Sequence, residues 1–158
     1  MPTTGRSKDH SRRPARVAAV LLVLLALPAL VLTGCPAARD GMPGQLARAK
    51  EEAQSAARAA ALTLDLWTAG RATRQLAAVQ VADARDEVVD ALEGTAVLRA
   101  EDPVDLRRQT VLCEWMAETV GLLNSADGVI RGHAHPAAAT RLRDELLAGV
   151  RRLDDEYP

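Results

Sequence analysis

Residues 66–75, LWTAGRATRQ, decide how many helices the chain forms. Gly70 suits a left-handed stop at the end of one helix, and Thr73 can cap the next by accepting a hydrogen bond from a free first-turn N–H. Read as a break, the stretch separates a helix from about Gln45 to Ala69 from a second from about Thr73 to Ala100. A competing reading keeps one long helix with a weak point at Gly70. Leu46, Ala53, Ala60 and Trp67 recur every seven residues, and the same phase continues to Val81 and Val88. The break is the expectation carried forward.

Outward from this point the faces separate cleanly. On the N-terminal side, Ala49, Ala56, Ala57 and Leu64 flank the seven-residue series and make a narrow stripe of mostly small side chains, the kind that lets helices approach closely. On the C-terminal side, Ala77, Val81, Ala84, Val88 and Leu92 share one face, while Asp83, Asp86, Glu87 and Asp90 share the opposite one. A run of acids on one side of a helix is first of all its solvated surface.

AEDPVDLRRQ, residues 100–109, marks a third helix start. Asp102 is placed to cap, Pro103 occupies the first helical position where its missing N–H costs nothing, and Asp105 sits near the positive dipole end. Leu112, Cys113, Met116, Val120 and Leu123 give this helix its apolar face, ending near NSADG at 124–128. After a loop reading GVIRGHAH, Pro136 opens the last helix, in which Ala139, Leu142, Leu146, Val150 and Leu153 form a stripe opposite Arg141, Asp144, Glu145, Arg151 and Asp155. Ala is abundant, Phe is absent, and no alternation of strand type occurs. About four helices of similar length with short connections predict an all-α antiparallel bundle over residues 45–158, with a thin, Ala-rich core.

The N-terminal part of the chain is different in kind. Arg6, Lys8, Arg12, Arg13 and Arg16 precede VAAVLLVLLALPALVL, residues 17–32, sixteen residues without a charge. This is the layout of a secretory leader: a basic segment, an apolar segment, then small residues that give a peptidase access to the backbone. As a helix the run reaches only about 24 Å, against the roughly 30 Å of a hydrocarbon core. A transmembrane span would have to recruit the tail through Ala38, which contains Thr33, Gly34 and Pro36, with Pro28 already inside the run.

Directly after the apolar run comes LTGC, Leu32 to Cys35. It resembles the lipobox of bacterial lipoproteins. The resemblance implies that residues 1–34 are a cleaved signal peptide and that the Cys35 thiol carries a diacylglyceryl group. The chain would then begin at Cys35, lipid-anchored at the extracytoplasmic face of the cell membrane. Residues 35–44 would be the lipidated Cys and a flexible tether, since PAARDGMPG holds two Pro and two Gly without a periodic pattern. The resemblance covers residues 1–35 and says nothing about the other 123.

Of 20 basic and 21 acidic residues, five basic and one acidic lie before residue 35, leaving 15 and 20 beyond it and a net charge of −5. That balance argues against nucleic acid as a partner, because nucleic-acid binders carry clustered Lys and Arg. Two cysteines, Cys35 and Cys113, make no disulfide framework.

Few residues suggest chemistry. His133 and His135 form a His-x-His pair that could chelate a metal if Cys113, Glu114 or Glu118 converged on it, and Glu114 and Glu118 share a helical face. No zinc-type spacing is met, and Cys113 reads instead as a buried, inert thiol with no base at helical spacing. Trp67 and Trp115 read as core anchors. No catalytic motif and no cofactor site stand out. The expectation is a non-enzymatic lipoprotein of the bacterial envelope that binds another envelope protein or acts as a scaffold. The alternative is a small-ligand or metal binder built on the His133/His135 loop.

Overall fold

A computed structural model describes residues 41–158. The leader, Cys35 and residues 36–40 of the tether lie outside the described residues. Those described form four helices: α1 (Gly41–Thr68), α2 (Arg74–Ala96), α3 (Pro103–Ile130) and α4 (Ala138–Glu156).

The break at LWTAGRATRQ is made by the residues expected to make it. Gly70 has φ of 70°, its N–H donates to Trp67 O at 3.0 Å, and the Arg71 N–H donates to Leu66 O at 2.8 Å. These two bonds satisfy the last carbonyls of α1 and require a left-handed residue at the Gly70 position. Three residues later the Thr73 hydroxyl accepts the Leu76 N–H at 3.2 Å, so α2 starts with its own cap. The seven-residue phase thus spans two helices that fold back on each other. At α3, Asp102 Oδ1 accepts the Val104 N–H at 2.8 Å and Asp105 carries the first-turn charge, as the sequence predicts.

Helix ends set by distant contacts differ from expectation. Residues 41–44, expected as the end of the tether, are the first turn of α1: Met42 packs on the core, and Pro43 falls where helix N–H groups have no partner to lose. α2 stops at Ala96 rather than near Ala100, because the Gln109 side-chain amide of α3 donates to Thr95 O at 2.8 Å and to Leu98 O at 2.9 Å. α3 runs past 124–128 to Ile130, since Ala126, Val129 and Ile130 prolong its buried stripe. α4 begins at Ala138, two residues beyond Pro136.

The order is up–down–up–down. At one end Arg108 near the start of α3 donates to Pro158 O at 2.8 Å, and Lys50 of α1 pairs with Asp154 of α4 at 2.9 Å. Toward the other end Arg143 of α4 pairs with Asp65 of α1 at 2.8 Å. α1 touches all three other helices, whereas α2 and α4 do not touch each other. The cross-section is therefore a rhombus with α1 and α3 on its short diagonal. Ala53, Ala56, Ala57, Ala60 and Ala61 make this close approach sterically feasible. Leu64, Leu112, Met116, Leu123 and Leu146 supply the larger buried volume.

Because the α3 cap is local and exposed, Asp102→Ala should lower the urea unfolding stability by about 1 kcal/mol. Leu64→Ala, in a fully buried position, should cost about 2–5 kcal/mol through lost transfer energy and a cavity. Equal losses for the two variants would contradict the packing described.

Candidate functional site

The residues that suggested metal chemistry lie apart. His133 and His135 are exposed in the α3–α4 connection. The His135 Nδ1 accepts the Ala137 N–H at 3.2 Å, so this imidazole acts as a local cap where α4 has none of its own. Glu118 lies fifteen residues before His133 on α3, roughly 20 Å away along a helix axis. Its carboxylate instead pairs with Arg152 of α4. Among the described residues, no group of three or more His, Cys, Asp or Glu side chains is placed to hold a metal ion.

Cys113 is half-buried rather than fully buried. It lies at the edge of the apolar stripe of α3, beside the Glu114 carboxylate. Burial first, and then the charge of Glu114, push its thiol pKa above the ordinary value. Both effects disfavour the thiolate, which is the nucleophilic form.

A more promising concavity was not legible in the sequence. Between α3 and α4 lies a groove of about 450 Å³ whose lining includes Trp115, Gly121, Leu122, Leu146 and Gly149, with the Glu118–Arg152 pair on its rim. Trp115 is only 4% exposed, and its Nε1 has no hydrogen-bond partner among the described residues. Gly149 is what admits the indole: a Cβ at that position would sit 3.2 Å from Trp115 Nε1. A buried donor without a partner costs about 1–3 kcal/mol. The groove therefore offers apolar walls, with the unsatisfied indole N–H sealed beneath Gly149 rather than presented to an occupant. Trp115 is a core residue, as the sequence suggests, while Trp67 is half-buried against the core edge. The Trp115–Gly149 contact depends on residues 34 apart and has no sequence signal of its own.

Two further grooves flank Leu62 on α1. One, of about 240 Å³, runs between α1 and α2 past Leu66, Gln80, Asp83 and Glu87. The other, of about 400 Å³, runs between α1 and α4 past Arg58, Asp65, Arg143 and Leu147. At the end of the bundle where α1 starts, Lys50 and Gln54 hold Asp154, and the Lys50 ammonium lies 4.6 Å from the centre of the Tyr157 ring. Hydrogen bonds from Gln54 and then Lys50 keep the Asp154 carboxyl below its usual range. The contribution of this group is present above the ordinary carboxylate pKa and is lost as pH falls through the folded value.

No family model matches this chain, and neither a curated protein nor a solved structure matches it.

Gly149→Ala should force the Trp115 ring or α4 to shift, lowering stability by about 1–3 kcal/mol and changing the tryptophan emission maximum. An unchanged spectrum and unfolding midpoint would show that the indole has room. For Cys113, modification by a thiol reagent in the folded protein should stay slow through pH 8 and keep accelerating above the ordinary thiol pKa. A rate that levels off below that point would contradict the raised pKa.

Proposed function

We propose that this chain is a bacterial lipoprotein held through Cys35 at the extracytoplasmic face of the membrane, where its helical bundle binds another envelope protein. The observation that carries the reading is the position of LTGC directly after a basic segment and sixteen uncharged residues. A diacylglyceryl group gives two acyl chains, enough for firm attachment at about 0.8 kcal/mol per buried methylene.

The start of α1 supports the same reading. Gly41 is six residues beyond Cys35, a span of at most about 21 Å at roughly 3.5 Å per residue. A bundle so tethered stays next to the bilayer. No helix among the described residues is long and apolar enough to cross a membrane. In this reading attachment belongs to Cys35, and the bundle is the working part. The Trp115 groove is its candidate contact for a partner, because its apolar walls between α3 and α4 would take an apolar side chain.

Replacing Cys35 with Ala should abolish acylation, detected as loss of the lipid mass, and should release the chain or leave it unprocessed. Continued membrane retention with the leader attached and no lipid on the wild type would favour a transmembrane span instead. Crosslinking in intact membranes should capture one defined envelope protein, with yield falling when Gly121→Leu, at a position with open space for a side chain, fills the groove. Capture of abundant background proteins alone would count against a binding role.

A further inference from the structure

We propose that the outer face of α1, centred on Leu62, is a contact between two copies of this chain packed in parallel about a two-fold axis running along α1. Leu62 is 59% exposed and forms the ridge between the two grooves that flank α1. Three sides of α1 are occupied by α2, α3 and α4, so this ridge is the one side left. Ala59 and Leu66 continue its apolar surface along the helix at spacings of three and four.

The charges on either side select the occupant. On the α2 side stand Asp83 and Glu87, both exposed and without a cation partner among the described residues. On the α4 side stands Arg58, which donates to Gln54 Oε1 at 3.3 Å and whose nearest carboxylate is Asp154 at 3.9 Å. Arg151 joins it there: it lies four residues beyond Leu147 on the same side of α4, is exposed, and forms no ion pair among the described residues. One flank thus offers free carboxylates; the other offers Arg58 and Arg151 beside Asp65 and Asp144, whose carboxylates are already paired with Arg143, and a second copy supplies both complements.

Symmetry then fixes the orientation. A two-fold axis along α1 places α2 of one copy against α4 of the other at the same height. An axis across α1 at Leu62 would set α2 against α2, bringing Asp83 within about one helical turn of its own copy, which is repulsive, and would take Asp83 and Glu87 away from Arg58 and Arg151. Two contacts calibrate the heights: Thr63 Oγ1 lies 3.2 Å from Gln80 Oε1, and Arg143 Nη1 lies 2.8 Å from Asp65 Oδ1. Seven residues on from Gln80, Glu87 falls level with Ala56; eight on from Arg143, Arg151 falls level with Ala57. In the parallel arrangement the free acids of one copy therefore meet Arg58 and Arg151 of the other within about one helical turn.

The parallel arrangement also sends both N-terminal ends in one direction, which two copies anchored through Cys35 in one membrane can satisfy. In that respect the inference rests on the anchored reading proposed above, and the test separates the two. The full chain carrying Leu62→Cys and Cys113→Ser is produced in cells, and its membranes are treated with copper phenanthroline. Because the axis passes beside residue 62, a disulfide-linked band at twice the chain mass is expected. It should be absent when Leu62 is retained, and absent for Val97→Cys, which is 77% exposed but on the α2–α3 connection. Adding Asp83→Arg and Glu87→Arg should lower the yield at least fivefold, and adding Arg58→Glu and Arg151→Glu as well should restore it. These positions are exposed, and membrane abundance of each variant reports folding.

A chain found in the soluble fraction overturns the anchored reading and the aligned contact together. A chain in the membrane that gives no doubled band overturns this inference alone, as does a Leu62→Cys chain that is captured only in an adduct of a different mass. A doubled band indifferent to both charge reversals overturns the parallel orientation.

Discussion

Everything in the bundle follows from how closely α1 lies to α3. Five alanines on one side of α1 remove the bulk that would otherwise hold the helices at ordinary spacing, so α1 reaches its diagonal neighbour as well as its two adjacent ones. The cost is hydrophobic area. A methyl group buries far less surface than a leucine side chain, so each alanine contributes only a fraction of the roughly 1.5–3 kcal/mol of a buried large aliphatic residue. The larger share of the core therefore comes from a short row of Leu, Met and Val on all four helices, and the chain has no phenylalanine with which to enlarge it.

Polar groups define the ends where apolar contact is scarce. Gln109 donates to Thr95 O in the last turn of α2 and to Leu98 O just beyond it, and so fixes both the end of that helix and the register of α3 beside it. At the same end of the bundle Asp154 is shared between Lys50 and Gln54, which ties the end of α4 to α1. These contacts are partly exposed, and exposed ion pairs contribute little energy each. What they provide is register, since alanine stripes pack nearly as well when shifted by a turn.

The legible parts of the sequence were those decided within a few residues. Gly70, Thr73, Asp102 and Pro103 each act on backbone groups two to five positions away, so their roles could be read in order along the chain. The misplaced ends share the opposite cause: Met42, Gln109 and Ile130 set helix limits through partners in other elements, and no local pattern encodes that. The candidate site divides in the same way. His-x-His and Cys113 were visible because their residue types are distinctive, yet the fold keeps them apart. Trp115, Gly149 and Leu62 became notable only through neighbours on other helices, or through the lack of them.

The proposed contact at Leu62 is weak by itself, and its weakness connects it to the anchor. Burying two leucine side chains contributes about 3–6 kcal/mol at most, while free association in solution costs an estimated 4–15 kcal/mol in lost translation and rotation. Ala59 and Leu66 add area, and the charge pairs at the rim add direction more than energy. In solution the balance would sit near zero at best. On the proposed anchored reading, two chains held to one bilayer by short segments have already given up much of that freedom, because both are confined to a thin layer at its surface. The same few kilocalories then act at a high effective concentration. With the proposed anchor, a thin alanine core and an exposed leucine ridge on α1 thus make a surface better suited to association on a membrane than away from it.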